Sequence, residues 1–332
     1  MRVLVTGAAG FIGAAVAERL CARGDEVLGI DSLNDYYQVS LKRDRLAEIA
    51  QGAGDAFHFT EVDFADWDAL QRALDGEQIE RIVHLGAQAG VRSGLDMPRA
   101  YVEANLMGQI NLLEVARHRQ VAHMVYASSS SVYGGSTAFP SRVEDEANHP
   151  VSLYAATKRS DELMSESYAH LFSLPQTGLR FFTVYGPWGR PDMVMWLFTE
   201  AVLRGEPIRL YGHGNMYRDY TYIDDIVAGV LACLDRPPQD DGSVKPGGST
   251  KPHAIYNIGN HRSEKLTRVL ELIEQACGRQ AQVELHPVQP GEVLKTFADI
   301  DPIWRDMGYE PTTGIDVGIP RFVNWYRSYH QV

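Results

Sequence analysis

Cysteine is nearly absent from this 332-residue chain: Cys21, Cys233 and Cys277 are scattered singly, with no CxxC pair and no histidine at metal-ligand spacing. No disulfide framework and no metal centre is therefore expected, and so sparse a set fits a reducing compartment. Long apolar runs are missing too, since none approaches the roughly 18 residues that a membrane span needs. The apolar opening, Met1–Gly13, is short, broken by Gly7, Gly10 and Gly13, and without a small-residue cleavage site. It reads as a strand and a turn, not as a signal peptide. Positive charge is scarce, with 31 Lys and Arg against 43 Asp and Glu, a net charge of −12. That balance repels phosphate backbones and anionic membranes, so neither nucleic acid nor membrane is expected as a partner. Any anionic ligand must be met by a local cluster of donors. The expectation is a soluble protein of the cytoplasm.

What the chain does have is alternation. Composition is that of a globular protein, 45% hydrophobic and 22% charged. Apolar, β-branched runs at Arg2–Thr6, Glu26–Ile30, Ala56–Glu61, Arg81–Leu85 and His123–Ala127 alternate with helical patterns such as Ala14–Ala22 and Ala104–His118. Strands alternating with helices imply βαβ units, so the fold class is α/β, a Rossmann-type doubly wound parallel sheet. Gly178–Tyr185 is a further strand candidate, after which Pro, Gly and aromatic residues become dense. A soft boundary falls there. Residues 1–185 form the nucleotide-binding domain and 186–332 a smaller mixed α/β C-terminal substrate lobe, with 218–226 and 254–260 able to return to the main domain. Residues 236–253, rich in Pro, Gly and Ser, read as an exposed mobile loop; Ala254–Ile258 resumes a strand and Leu266–Cys277 a helix.

Two signatures carry chemistry. The first is Gly7-Ala-Ala-Gly10-Phe-Ile-Gly13, between a strand and a helix. Such a turn lets backbone N–H groups approach a pyrophosphate at a helix N-terminus, although glycine turns also occur without a nucleotide. Asp31 ends the second strand 18 residues after Gly13, where an acid accepts from a ribose 2′-OH and disfavours a 2′-phosphate. NAD is expected over NADP. Asp63, after the third strand, is either an acceptor for the adenine amino group or an ordinary exposed acid.

The second signature is Ser128–Ser131 followed by Tyr154-Ala-Ala-Thr-Lys158, with Tyr154 lying 25 residues beyond Ser129. Positions i and i+4 share a helix face, so Tyr154 and Lys158 can enter one pocket. A phenol, with a pKa near about 10, is a poor base at neutral pH, and a neighbouring ammonium favours its phenolate. A serine hydroxyl can then relay the proton or bond the reacting oxygen. Alone, either motif is common; in this order behind the glycine turn they are specific.

These three motifs resemble the extended short-chain dehydrogenase/reductase superfamily. More narrowly, Leu33–Tyr37 (LNDYY), Ala87–Arg92, Ala127–Gly134, His149–Lys158, Leu179–Met193, Arg218–Ile226, Tyr256–Asn260 and Phe322–Tyr326 resemble the UDP-sugar epimerases, most closely the UDP-glucuronate 4-epimerases. The likeness runs end to end apart from residues 236–253. It implies interconversion of UDP-glucuronate and UDP-galacturonate through a transient 4-keto sugar, on tightly bound NAD. By position, Tyr154 is then the base, Lys158 tunes it and holds the nicotinamide ribose, and Ser129 assists. NAD is held by Gly7, Gly10, Phe11, Ile12, Gly13, Asp31 and Asn34. Further along, Asp63, Phe64, Leu85, Gly86 and Ala87 complete that set with Tyr154 and Lys158. Phe182, Thr183, Arg218 and Glu292 lie along UDP. The resemblance also implies a homodimer through a four-helix interface formed by Ala104–His118 and Tyr154–Leu171.

The residues beside Ser129 decide between sister chemistries. Dehydratases and decarboxylases of this superfamily place an acid there; Ser130 and Ser131 supply none, so elimination and loss of CO2 go unassisted. Both serines are expected to hydrogen-bond the sugar carboxylate. Arg92 and Arg190 are candidates to grip a carboxylate or phosphate bidentately, or are simply solvated or salt-bridged. Gln289 stands where neutral-sugar epimerases have Arg, and Gly86 stands where Ala is usual, a change expected to be silent. His84 and Trp188 read as packing residues and Cys277 as a plain buried thiol. Two other readings stay open: an epimerase of a neutral UDP-hexose or N-acetylhexosamine, and a non-catalytic dinucleotide sensor on the same fold.

Overall fold

A computed structural model describes residues 1–90, 96–289 and 292–332. In chain order the strands are β1 (Arg2–Thr6), β2 (Glu26–Asp31), β3 (Phe57–Glu61), β4 (Arg81–His84), β5 (His123–Ser129), β6 (Gln176–Phe181), β7 (Thr183–Tyr185), β8 (Pro207–Leu210), β9 (Tyr217–Tyr222), β10 (His253–Ile258), β11 (Ser263–Lys265) and β12 (Gln282–Leu285). The helices are α1 (Phe11–Ala22), α2 (Val39–Ala53), α3 (Trp67–Ala73), α4 (Pro98–Tyr101), α5 (Gly108–His118), α6 (Leu153–Phe172), α7 (Val194–Arg204), α8 (Ile223–Asp235), α9 (Leu266–Cys277), α10 (Asp301–Met307) and α11 (Ile315–His330).

Seven strands form one sheet in the order β10-β6-β5-β4-β1-β2-β3, and every pairing in it is parallel. Strands buried on both faces are mostly apolar, and their alternation sorts side chains between two cores. Val3, Val5, Val83 and Val125 enter the core shared with α1, α8 and the C-terminal helices. Leu4, Leu28, Ile82 and Met124 enter the other, with Leu70, Leu112 and Leu113. Small residues on α1, among them Gly13, Ala14 and Ala17, are buried and let that helix lie close to the sheet.

After β6 the chain divides between layers. The run predicted as one strand, Gly178–Tyr185, is two: β6 stays in the main sheet, the Phe182 N–H donates to Ile258 O at 3.1 Å, and β7 leaves to pair with β9. β7, β9 and β11 make a three-stranded sheet, and β8 with β12 a two-stranded one. α8 and β10 come back to the main body, β10 as its edge strand beside β6.

Two local expectations change. The helix predicted over Ala104–His118 begins as a π turn, Val102–Met107, before α5. Buried Asn105 in that turn bonds the backbone of Gln88 and the Thr157 hydroxyl, contacts that a widened turn can aim. The 236–253 stretch, expected to be mobile, is anchored instead. Ser249 Oγ donates to Glu166 at 2.8 Å, Lys245 to Asp241 at 2.6 Å, and the Ile255 N–H to Pro246 O at 2.8 Å. Its polar side chains find partners on α6 and within the loop, which composition alone does not show. No helix among the described residues is long and apolar enough to cross a membrane.

Candidate active site

The C-terminal ends of β1, β4, β5 and β6 open on a cavity of about 900 Å³, walled on its far side by residues of the smaller sheets. β1 lies between β4 and β2, so chain direction over the sheet reverses there, where α/β sheets leave a crevice for ligands.

One half of the cavity is built for a dinucleotide. Gly7 has φ +69°, and a Cβ on it would stand 2.7 Å from the Gly86 nitrogen. A Cβ on Gly13 would overlap the Gly7 carbonyl oxygen, so only glycine lets α1 begin this close to the turn. Gly10 caps α1 with no side-chain bond, leaving that helix end to the cavity. Asp31 accepts from the N–H groups of Ala9 (3.2 Å) and Leu33 (2.9 Å), which fixes a carboxylate with lone pairs to spare for a ribose. Phe11, Ile12, Asn34, Asp63, Phe64, Leu85, Gly86 and Ala87 line the same half. These residues fit NAD: a bare helix end for pyrophosphate, and an acid where a 2′-phosphate would be repelled.

Gly86 is not the silent position that the sequence suggested. A Cβ there would stand 2.5 Å from Cε1 of Phe64 and 3.1 Å from Thr6 Oγ1. Thr6 Oγ1 in turn bonds His84 Nδ1 at 2.6 Å, and His84 meets Phe64 edge-on. Burial, reinforced by the Lys158 charge, pushes His84 down to about 3. It is a neutral packing residue, as expected.

The other half holds the phenol. Ser152 caps α6, accepting from the Ala155 N–H at 3.2 Å, so the helix starts just before Tyr154. Tyr154 and Lys158 both line the cavity from one helix face, with Tyr101 edge-on to Tyr154. Burial works against the Lys158 ammonium, but Asp161 and Tyr154 outweigh it and hold the amine above its ordinary range. At the end of β5 the serines divide. Ser128 is buried and donates to Glu162 at 2.6 Å, an anchoring bond. Ser129, Ser130 and Ser131 turn along the cavity wall, Ser129 Oγ accepting from the Ser131 N–H at 3.2 Å.

Beyond the phenol, Phe182, Thr183, Arg190, Arg218 and Glu292 line the cavity together. Arg218 is pinned by the carbonyls of Tyr217 (2.9 Å) and Leu294 (3.2 Å), which aims a mostly buried cation. Arg190 forks onto Asp192 at 2.9 and 2.6 Å. Arg92 lies outside the described residues. Trp188 is half-buried and packs against the core, on Trp325 and Tyr329. Burial raises the Cys277 thiol to about 11, so it is inert.

Sequence reasoning passed over three cations. Lys42 holds Asn34 by its side chain (2.8 Å) and carbonyl (2.7 Å). Arg45, fully buried, donates to Ala9 O (2.9 Å), Tyr37 Oη (2.7 Å) and Trp188 O (2.6 Å), tying the glycine turn to the loop before Arg190. Lys295 lines the cavity with its ammonium 5.0 Å from the Phe139 ring centre. The signal for the first two was a basic pair on the buried face of α2, next to LNDYY.

Residues 3–259 match the model of the NAD dependent epimerase/dehydratase family. The chain belongs to this family. It is 46% identical over 336 residues to Protein CapI of Staphylococcus aureus, covering the whole of both chains. It is 44% identical over 332 residues to the probable UDP-glucuronate 4-epimerase of Rhizobium meliloti, covering 98% of this chain and 97% of that one. Among solved structures, the UDP-glucuronic acid 4-epimerase of Bacillus cereus in complex with UDP-glucuronic acid and NAD superposes with a TM-score of 0.88. That pair is 30% identical, over 99% of this chain and 100% of that one. As an epimerase/dehydratase relative, the chain carries its tyrosine and lysine where the sequence motif predicts them, on the α6 face that lines the cavity.

Proposed function

We propose that this protein is an NAD-dependent UDP-glucuronate 4-epimerase, interconverting UDP-glucuronate and UDP-galacturonate through a transient 4-keto sugar without losing CO2. The observation that carries the reading is the company of the phenol: Tyr154 and Lys158 share a cavity with three hydroxyls, Ser129, Ser130 and Ser131, where a dehydratase would need an acid. The full-length likeness to UDP-glucuronate 4-epimerases supports the same substrate.

In this reading Tyr154 takes the proton of the sugar 4-OH and later returns it, so no net proton is consumed. Lys158 stabilises the phenolate and Ser129 bonds the reacting oxygen. NAD, when bound there, would supply the acceptor for the C4 hydride and, once the sugar has turned over, the donor to its other face. Glycines 7, 10 and 13 with Asp31 hold the dinucleotide through the turnover, while Arg218 and Glu292 hold the UDP end as the sugar turns over. Ser130 and Ser131 bond the carboxylate and keep its C–C bond out of alignment with the keto group.

The protein works as a homodimer. Met97, Val102, Met107, Leu163, Leu171 and Phe172 are large apolar side chains left exposed on or beside the α4–α5 rod and on α6, which suits a four-helix interface. Its place is the cytoplasm, where three single thiols stay reduced. Turnover of UDP-glucuronate against UDP-galactose, with epimers separated by anion-exchange chromatography, tests the assignment. A kcat/KM at least about tenfold higher for the acid sugar is expected, a gap of about 1.4 kcal/mol in the transition state; comparable values contradict it.

A further inference from the structure

Lys158 has a neighbour that the reaction as described does not use. Its Nζ donates to Oδ2 of Asp161 at 3.0 Å, the two side chains being 3% and 1% exposed. An i, i+3 ion pair in water contributes little. Here neither charge reaches water, and Oδ1 of Asp161 has no hydrogen-bond partner. A buried carboxylate left half-satisfied is a poor choice for stability alone.

The surroundings leave Lys158 as the charge that Asp161 acts on. On α6, Glu162 is committed to Arg180 of β6 and to Ser128 of β5. From β5, Tyr126 lies in the field of Asp161, its hydroxyl bonded to His253 of β10. From β4, His84 is neutral. From the π turn and α5, Asn105 and Gln109 are uncharged amides bonded to Thr157 and Ser165, and from α4 Tyr101 meets Tyr154 by its ring edge.

We infer that Asp161 is a positioning residue for the reaction: its buried carboxylate fixes the direction and the effective charge of the Lys158 ammonium that faces Tyr154. The inference rests on Tyr154 as the base. With Asp161 ionised, part of the lysine's field is spent on the carboxylate. With that charge removed, Tyr154 becomes the anionic partner that the buried ammonium calls for at the cavity wall, which favours its phenolate.

Asp161→Asn keeps the shape and an acceptor for Lys158 while removing the charge. Ultraviolet difference titration of the full-length holoprotein, with Tyr154→Phe and Tyr154→Phe/Asp161→Asn as baselines, reads the Tyr154 phenol alone. The midpoint is expected to fall by about one pH unit in Asp161→Asn, the scale of one nearby charge, and the acid limb of kcat to move the same way. Asp161→Glu, which keeps the charge, should stay near the wild type. An unmoved midpoint in a folded Asp161→Asn protein overturns the inference, because a merely structural role would lower thermal stability and leave the phenol where it was. Should Asn not fold, Asp161→Ser enters the same titration with the same two outcomes. A wild type that does not turn over UDP-glucuronate would sink the substrate assignment while leaving the phenol titration readable, so the two failures are distinct.

Discussion

Phe64 occupies the space that a methyl group on Gly86 would need, its Cε1 only 2.5 Å from the position of that Cβ. The ring also presses on Gly108, so one aromatic side chain is seated between two glycines at the edge of the dinucleotide half. Gly86→Ala is therefore expected to destabilise the protein by about 1–3 kcal/mol, the usual cost of overpacking, and to speed loss of NAD. Phe64→Leu in the same chain should restore most of both. Thermal unfolding and cofactor content across the double-mutant cycle check this; additive losses would show that the ring and the glycine are not matched.

Tyr154→Phe removes the hydroxyl and keeps the ring against Tyr101. Epimerisation should fall by about 10²–10⁴-fold, the range for a positioned proton-transfer group, with NAD content and thermal midpoint close to the wild type. Retained turnover would move the proton-transfer role to another residue.

Ser130→Ala/Ser131→Ala should raise the share of UDP-pentose among the products, since a 4-keto uronate is a β-keto acid that decarboxylates once its carboxylate is free to rotate. Product ratios after extended incubation measure it. Unchanged purity would mean that other donors hold the carboxylate.

Glu162 anchors the back of the site: Arg180 grips it bidentately at 2.8 and 2.9 Å, and Ser128 and Arg159 bond it as well. Burial pushes this carboxyl up, but the Arg180 bonds and charge outweigh it and hold it below the ordinary carboxylate range. A group depressed on folding contributes stability above its unfolded pKa and loses it as pH falls through the folded one. Glu162→Gln should cost about 3–5 kcal/mol near neutrality by leaving Arg180 buried and unpaired. Its stability should also decline less steeply with acid than that of the wild type. Denaturant unfolding at several pH values reads both.

Fold class and the main sheet were legible in the sequence because their signals are local. The central strands β1, β2 and β4 are short, mostly apolar, β-branched runs, and Gly7, Gly10 and Gly13 mark a turn that only glycine fits. The YxxxK spacing likewise puts Tyr154 and Lys158 on one face without any tertiary knowledge. What escaped was long-range. Nothing local marks Arg45: besides Tyr37, eight residues before it, its partners lie 36 and 143 residues away. Nor does anything local mark Asp161, whose burial comes from the packing of α6 against β5. The cost of a Cβ at Gly86 depends on Phe64, which composition cannot relate to it. The split of Gly178–Tyr185 at Phe182 depends on β9, whose pairing with β7 the sequence does not announce.

The most direct test of the account is to incubate the purified protein with UDP-glucuronate, without added NAD, and to follow the sugar protons by NMR. The account predicts growth of UDP-galacturonate alone, which needs the retained cofactor, the Tyr154 base and control of the keto acid together. A UDP-pentose as the main product, or no change even with NAD supplied, would contradict it.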